Sequence, residues 1–216
     1  RSTRMSMKTP RAGVRTSLAR RDSSDYRQMM AGDVQEREFP GKCFPVAGHL
    51  LHVVHTPEDR LQAVLALIDS AETSLRMIIY MFDGDTTGRE VLAHLVAAAE
   101  RGVEVQLMID SFGSGDVDNA FFLPLETAGG HYHVFSSHWG WSYLVRNHQK
   151  MIIADGEHIL IGGFNITDQY FGRSGDRSWE DFGAILSGPS VEHLAIYYDQ
   201  LSDLSRGGNI KFGQMR

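Results

Sequence analysis

The chain holds one cysteine, Cys43, in 216 residues. An internal disulfide is therefore excluded, and nothing argues for an oxidising compartment. Long apolar runs are missing too: the longest are of strand length, short of the ~18–20 residues that cross a bilayer. Acidic residues are absent between Arg1 and Arg21, where Arg1, Arg4, Lys8, Arg11, Arg15, Arg20 and Arg21 stand. The chain as a whole carries −6, so the body beyond this basic arm is strongly acidic. An acidic body is a poor partner for long nucleic acid. The arm suits anionic lipid or phosphate, or is a plain disordered terminus, and it has the Arg- and Ser-rich composition of a transit peptide.

What is present is an alternation of helical and strand patterns. Residues 1–45 lack periodicity and read as arm and linker, with order expected from near His49. Thr56-Pro57-Glu58-Asp59 is a helix entry, with a hydroxyl cap, proline in the first turn and acids at the positive end of the dipole. Leu61, Val64, Leu65 and Ile68 follow at helical spacing. A buried strand is expected over 74–82, a helix from Thr87 to Gly102, a strand over 103–110, a short helix near 118–128 and a strand over 131–137. After a hairpin come a strand over 182–188 and a last helix from Pro189, closed by Gly207-Gly208. The early strands are continuous apolar runs, as in a sheet covered on both faces.

The hairpin lies in the stretch RNHQKMIIADGEHILIGGFN, residues 146–165. Met151–Ala154 and His158–Ile161 are its arms, and Asp155-Gly156 favours a tight type I′ turn. Folding the hairpin requires neither His148 nor Lys150. At positions i and i+2 of an extended chain they project to one face. A neutral imidazole is a nucleophile toward phosphorus, and an adjacent ammonium stabilises the charge that builds up there. Gly162-Gly163 would let a phosphate approach the backbone, and Asn165 can donate to its oxygens. Six specified residues at this spacing arise by accident on the order of once in 10⁸ starts.

This pattern, His-x-Lys-x₄-Asp followed by Gly-Gly-x-Asn, resembles the signature of the phospholipase D superfamily, most nearly its bacterial cardiolipin synthase branch. The likeness runs from about 47 to 206 and includes YMFDGDTTGREVLAHLVAAAERGVEVQLMID, GGFNITDQYFG and SWEDFGAILSGPSV. It implies an αβα sandwich: a mixed sheet with helices on both faces, forming one half of a pseudo-two-fold architecture. It divides the chain into a basic arm (1–45), a catalytic half-domain (46–206) and a tail or linker (207–216). It implies a phosphatidyl transfer through a phosphohistidine, with no metal or other cofactor. His148 attacks, Lys150, Asn165, Gly162 and Gly163 hold the phosphate, and Asp155 belongs to the signature, with turn formation as its other reading. A nearby carboxylate, Asp181 or Glu180 and preferably Asp181, supports the imidazole as in a serine-protease triad. Where the family's usual pattern is Trp-Arg-Asp, this chain has Trp179-Glu180-Asp181.

The mechanism needs a second histidine across the phosphorus, and only one motif is present. The expectation is a homodimer or a missing C-terminal half, and the cardiolipin synthase likeness and the non-Met start favour the half-protein. The substrate expected is a phospholipid, with the protein cytoplasmic or peripheral on the membrane. Two alternatives stay open: a nuclease-type phosphodiesterase acting as a homodimer, and a catalytically silent binding or structural half-domain. His131-x-His133 shares a strand face without a wider metal pattern of the His-Glu-x-x-His type. Trp139, Trp141 and Tyr143 alternate before the motif as an acyl-facing lip or a packed strand face. Asp110 ends a strand, where α/β sheets place ligands.

Overall fold

The computed structural model describes residues 39–206 apart from 115–116 and 136–146. The basic arm up to residue 38, the Trp139/Trp141/Tyr143 patch and the glycine pair 207–208 lie outside the described residues. The elements run β1 (Lys42–Val46), β2 (His49–Val54), α1 (Pro57–Ser70), β3 (Ser74–Ile79), α2 (Thr86–Glu100), β4 (Glu104–Asp110), a 3₁₀ turn leading into α3 (Leu123–Thr127), β5 (His131–Phe135), β6 (Met151–Ala154), β7 (His158–Gly162), β8 (Gly183–Ser187) and α4 (Val191–Ser205). They form one eight-stranded mixed sheet in the order β1-β2-β8-β7-β6-β3-β4-β5. The pairs β3–β4 and β4–β5 are parallel, and the remaining pairs are antiparallel.

Period-two alternation divides the strands between two cores. Leu75, Met77, Val105, Leu107, Ile152, Ala154 and Leu160 face a layer that includes Val64, Leu67 and Ile68 of α1 and Val91 and Leu95 of α2. Ile78, Met108, Met151, Ile153 and Ile159 face Val191, Ala195 and Tyr198 of α4. The sheet is thus covered on both faces, the αβα arrangement expected. Truncating a fully buried side chain such as Leu67 or Leu95 to alanine in such a layer costs about 2–5 kcal/mol.

The helix entries follow the local chemistry. Thr56 caps α1 by accepting from the Asp59 N–H at 3.0 Å, with Pro57 in the first turn. Asp85, two residues before the expected start, caps α2 by accepting from Gly88 N at 2.9 Å. The sheet also begins earlier than expected, at Lys42. β1 alternates exposed and half-buried residues, so it lacks the apolar run that marks the inner strands. The 74–82 strand is shorter than expected and ends at Ile79. Asp155 and Gly156 both have positive φ, 56° and 71°, and the Glu157 N–H closes the turn on Ala154 O at 3.0 Å, consistent with type I′. The ladder pairs Ala154 with His158, which leaves three residues rather than two between the arms.

Candidate active site

One end of the sheet collects the candidate groups, for a topological reason. β4 runs parallel to β3, β6 and β8 run against it, and β7 runs with it. The carboxyl ends of β3, β4 and β7 therefore meet the amino ends of β6 and β8 at one rim. That rim carries Tyr80 after β3, Asp110 closing β4, His148 and Lys150 before β6, Gly163 after β7, and Asp181 before β8.

His148 and Lys150 project together, as their spacing requires. His148 is exposed, whereas Lys150 is only 7% exposed. The Lys150 ammonium donates to the His148 carbonyl at 2.9 Å and lies 3.0 and 3.2 Å from the ring nitrogens Nδ1 and Nε2. These two short distances are not two hydrogen bonds. Imidazole lone pairs lie in the ring plane and diverge, with Cε1 between them. An atom almost equidistant from both nitrogens must sit over the face of the ring. Lys150 thus delivers positive charge to the ring face and leaves the in-plane direction of each nitrogen to other partners. Tyr80 completes this packing: its ring centroid is 4.6 Å from that of His148 and 5.2 Å from the ammonium. Burial lowers the Lys150 pKa from its usual value, and the charge of Asp181 works in the opposite direction.

It is the charge of Asp181, not of the exposed Glu180, that acts on Lys150. A Cβ on Gly163 would lie 2.5 Å from Asp181 Oδ1, so a larger residue there would displace this carboxylate. At Gly162 a Cβ would meet the buried Phe164 ring at 2.7 Å. The space a Cβ would take at these two glycines is thus occupied by the Asp181 carboxylate and the Phe164 ring. Asp181 Oδ1 accepts from the Phe182 N–H at 2.7 Å. Asp181 and His148 are not hydrogen-bonded to each other in this structure, where the expectation had the carboxylate on the ring. Asn165 is also committed internally: Oδ1 accepts from Met81 N at 3.1 Å and Nδ2 donates to the Tyr170 hydroxyl at 3.1 Å. It is 3% exposed and ties the loop after β7 to the chain leaving β3.

Asp155 stands at the other end of the hairpin. Seven residues of extended chain separate it from His148, roughly 20 Å. Its carboxylate accepts from the N–H groups of Glu72, Thr73 and Ser74 and from the Thr73 hydroxyl. These bonds hold its pKa below the ordinary carboxylate value despite the opposing effect of burial. Of its two expected readings, the geometry presents the structural one.

Three residues at or behind the rim were not assigned roles from the sequence, or were assigned only a faint one. Tyr80 reads as part of a strand. Asp110, 1% exposed, accepts from Phe112 N at 2.9 Å and from Asn147 N at 2.9 Å, so it pins the residue preceding His148. Its place at a strand's carboxyl end was the available signal. Arg60, 1% exposed on α1, donates to the carbonyls of His55, Tyr170, Trp179 and Asp181. Nothing in its pattern distinguishes it from a solvated helix residue. His131 and His133 lie on the edge strand β5, and burial pushes the His133 pKa down to about 4.

A sheet sandwiched between helices, with an exposed imidazole under a buried ammonium at its rim, defines a phospholipase D-like domain. Residues 64–201 match the family described as cardiolipin synthase, PLD-like domain, and the chain belongs to that family. The major cardiolipin synthase ClsA of Bacillus subtilis is 32% identical over 149 residues, which cover 66% of this chain and 30% of that protein. A cardiolipin synthase of Clostridium perfringens is 32% identical over 142 residues, covering 62% and 29% respectively. Among solved structures, the phospholipase D family member Nuc of Salmonella typhimurium aligns with a TM-score of 0.55 at 25% identity, over 72% of this chain and 95% of that one. The chain thus spans about 30% of the length of those two curated relatives. Among the described residues no helix is long and apolar enough to cross a membrane.

Proposed function

We propose that the chain is a phosphodiesterase or phosphatidyltransferase half-domain acting on phospholipids through a phosphohistidine. The observation that carries this reading is the exposed His148 ring with the Lys150 ammonium over its face at 3.0–3.2 Å. An in-plane nitrogen of His148 attacks phosphorus, forming N–P and breaking the bond to the leaving alkoxide. The alkoxide takes its proton from a second imidazolium, supplied by a partner half or a second copy across the phosphorus. An acceptor hydroxyl, from a lipid glycerol or water, then gives its proton to that imidazole and displaces His148. Lys150 offsets the negative charge on the phosphorane oxygens. Asp181 supports the charged state of the pair, and Asn165 with the glycine pair shapes the rim that receives the phosphate. The cardiolipin synthase relatives support a lipid substrate, and with it a peripheral contact with the membrane.

A self-paired site, two copies of the chain meeting at His148, is the alternative source of the second imidazole. The acidic body weighs against nucleic acid as its substrate. Trapping the phosphorylated protein with short-chain phosphatidylglycerol and mapping the label by mass spectrometry tests the assignment. The label is expected on His148; a label on any other residue overturns it. A strict monomer that turns over no phosphodiester would leave the silent-module reading instead.

A further inference from the structure

We propose that Arg60 is a positioning residue for this site, holding Asp181 against Gly163 and within electrostatic reach of Lys150. Asp181 lies in the stretch between Tyr170 and β8, which has no regular strand or helix beyond short 3₁₀ turns. Such a stretch does not by itself fix a carboxylate. The guanidinium of Arg60 does so from below. Its Nη1 donates to the Asp181 carbonyl and, at 2.7 Å, to the His55 carbonyl. Its Nη2 donates to Trp179 O at 3.2 Å and Tyr170 O at 2.6 Å, and its Nε to Tyr170 O at 3.0 Å. Both ends of the stretch are thus tied to the first turn of α1 by one planar five-donor group.

The same residue reaches the opposite side of the site. Tyr170, held by its carbonyl, offers its hydroxyl to Asn165, and Asn165 accepts from Met81, the neighbour of Tyr80. One arm of the network therefore sets Asp181, and the other sets the chain that carries Tyr80 against the His148 ring. Among the described residues the hydrogen bonds of this buried cation all go to carbonyls, and the charges of Asp181, Glu180 and Glu58 act on it without a hydrogen bond, so its direct contacts fix backbone.

This inference rests on the proposed role of Asp181, and the test keeps the two apart. The Lys150 ammonium is followed by nitrogen-15 NMR titration in the whole chain, a readout that needs no turnover. Asp181→Asn removes a charge that favours the ammonium and is expected to lower its pKa. Arg60→Lys keeps the charge at 60 but loses the planar fork, and is expected to shift Lys150 in the same direction. The double variant is expected to shift it no further than Asp181→Asn alone. An unmoved Lys150 in Arg60→Lys, or an additive double variant, overturns the proposal. Tyr170→Phe, which cuts only the Asn165 arm, is expected to leave the Lys150 titration unchanged; a shift as large as that of Arg60→Lys argues against two separate arms. If Arg60→Lys fails to fold, the unaltered protein still decides. Its Arg60 guanidinium protons should exchange with solvent far more slowly than those of exposed arginines, and equal exchange rates overturn the proposal. Should Asp181→Asn retain full transfer activity while the titrations behave as expected, the positioning stands and the catalytic role of Asp181 falls.

Discussion

The two ends of the β6–β7 hairpin carry residues of one signature and do opposite work. At one end, His148 and Lys150 present an exposed ring and a buried ammonium, and no acid among the described residues is hydrogen-bonded to either. At the other, Asp155 is saturated by four donors from the turn before β3. The first end holds its positive charge with only the distant effect of Asp181 to offset it, which suits the anionic substrate proposed for it. The second is locked, and what it locks is the register of the hairpin against β3. A fixed spacing in sequence therefore joins a reactive pair to the anchor that holds it in place. The chain around Gly163, beyond β7, repeats the lesson, since the glycine leaves the space that Asp181 occupies.

The sharpest break of this comparison is at the reactive end. Exchanging His148 for alanine is expected to reduce transfer by on the order of 10⁴-fold or more, as for other covalent nucleophiles. Because the ring is exposed, the melting temperature should move by less than about 2 °C. A residual rate within tenfold of the parent would show that another group attacks phosphorus.

Lys150→Met comes next and separates activity from stability in the opposite sense. It removes a buried cation that has no hydrogen-bonded acid among the described residues and keeps an apolar chain of similar length. Transfer is expected to fall about 10²–10³-fold, while thermal unfolding shows a stability equal to or above that of the parent. In the parent, burial lowers the Lys150 pKa. Activity that needs the ammonium is thus expected to fade with rising pH below the ordinary lysine range, and the pH–rate profile of the parent checks this directly.

Much of this contrast could be read in the residues. The helix entries at Thr56 and near Asp85, the continuous apolar strands and the Asp-Gly turn are local signals, and local physics dictates them. The pairing of His148 with Lys150 follows from the two-residue period of an extended chain. What stayed illegible depends on distant partners. Arg60 has the pattern of a surface helix residue, and only the return of the chain at Tyr170 and Asp181 buries it. Asn165 and Gly163 carry the chemistry of phosphate binding, but tertiary packing commits them to Met81, Tyr170 and Asp181. Strand β1 escaped because its exposed alternation has no apolar run.

The smallest effect on chemistry, and the clearest on stability, is expected at the locked end. Asp155→Ala removes the acceptor of three backbone N–H groups and should cost about 1.5–3 kcal/mol in chemical denaturation, with initial transfer rates at low temperature within a few-fold of the parent. The pH dependence has a definite sign. The folded Asp155 pKa lies below its ordinary value, so the unfolded chain binds the proton more readily. Its contribution is fully present above the ordinary aspartate pKa of about 3.9. It is lost as the pH falls through the lower folded value. The stabilities of parent and Asp155→Ala should therefore differ most at neutral pH and converge in acid. A gap that persists unchanged into acid would mean that the turn is held by shape rather than by the charge of Asp155.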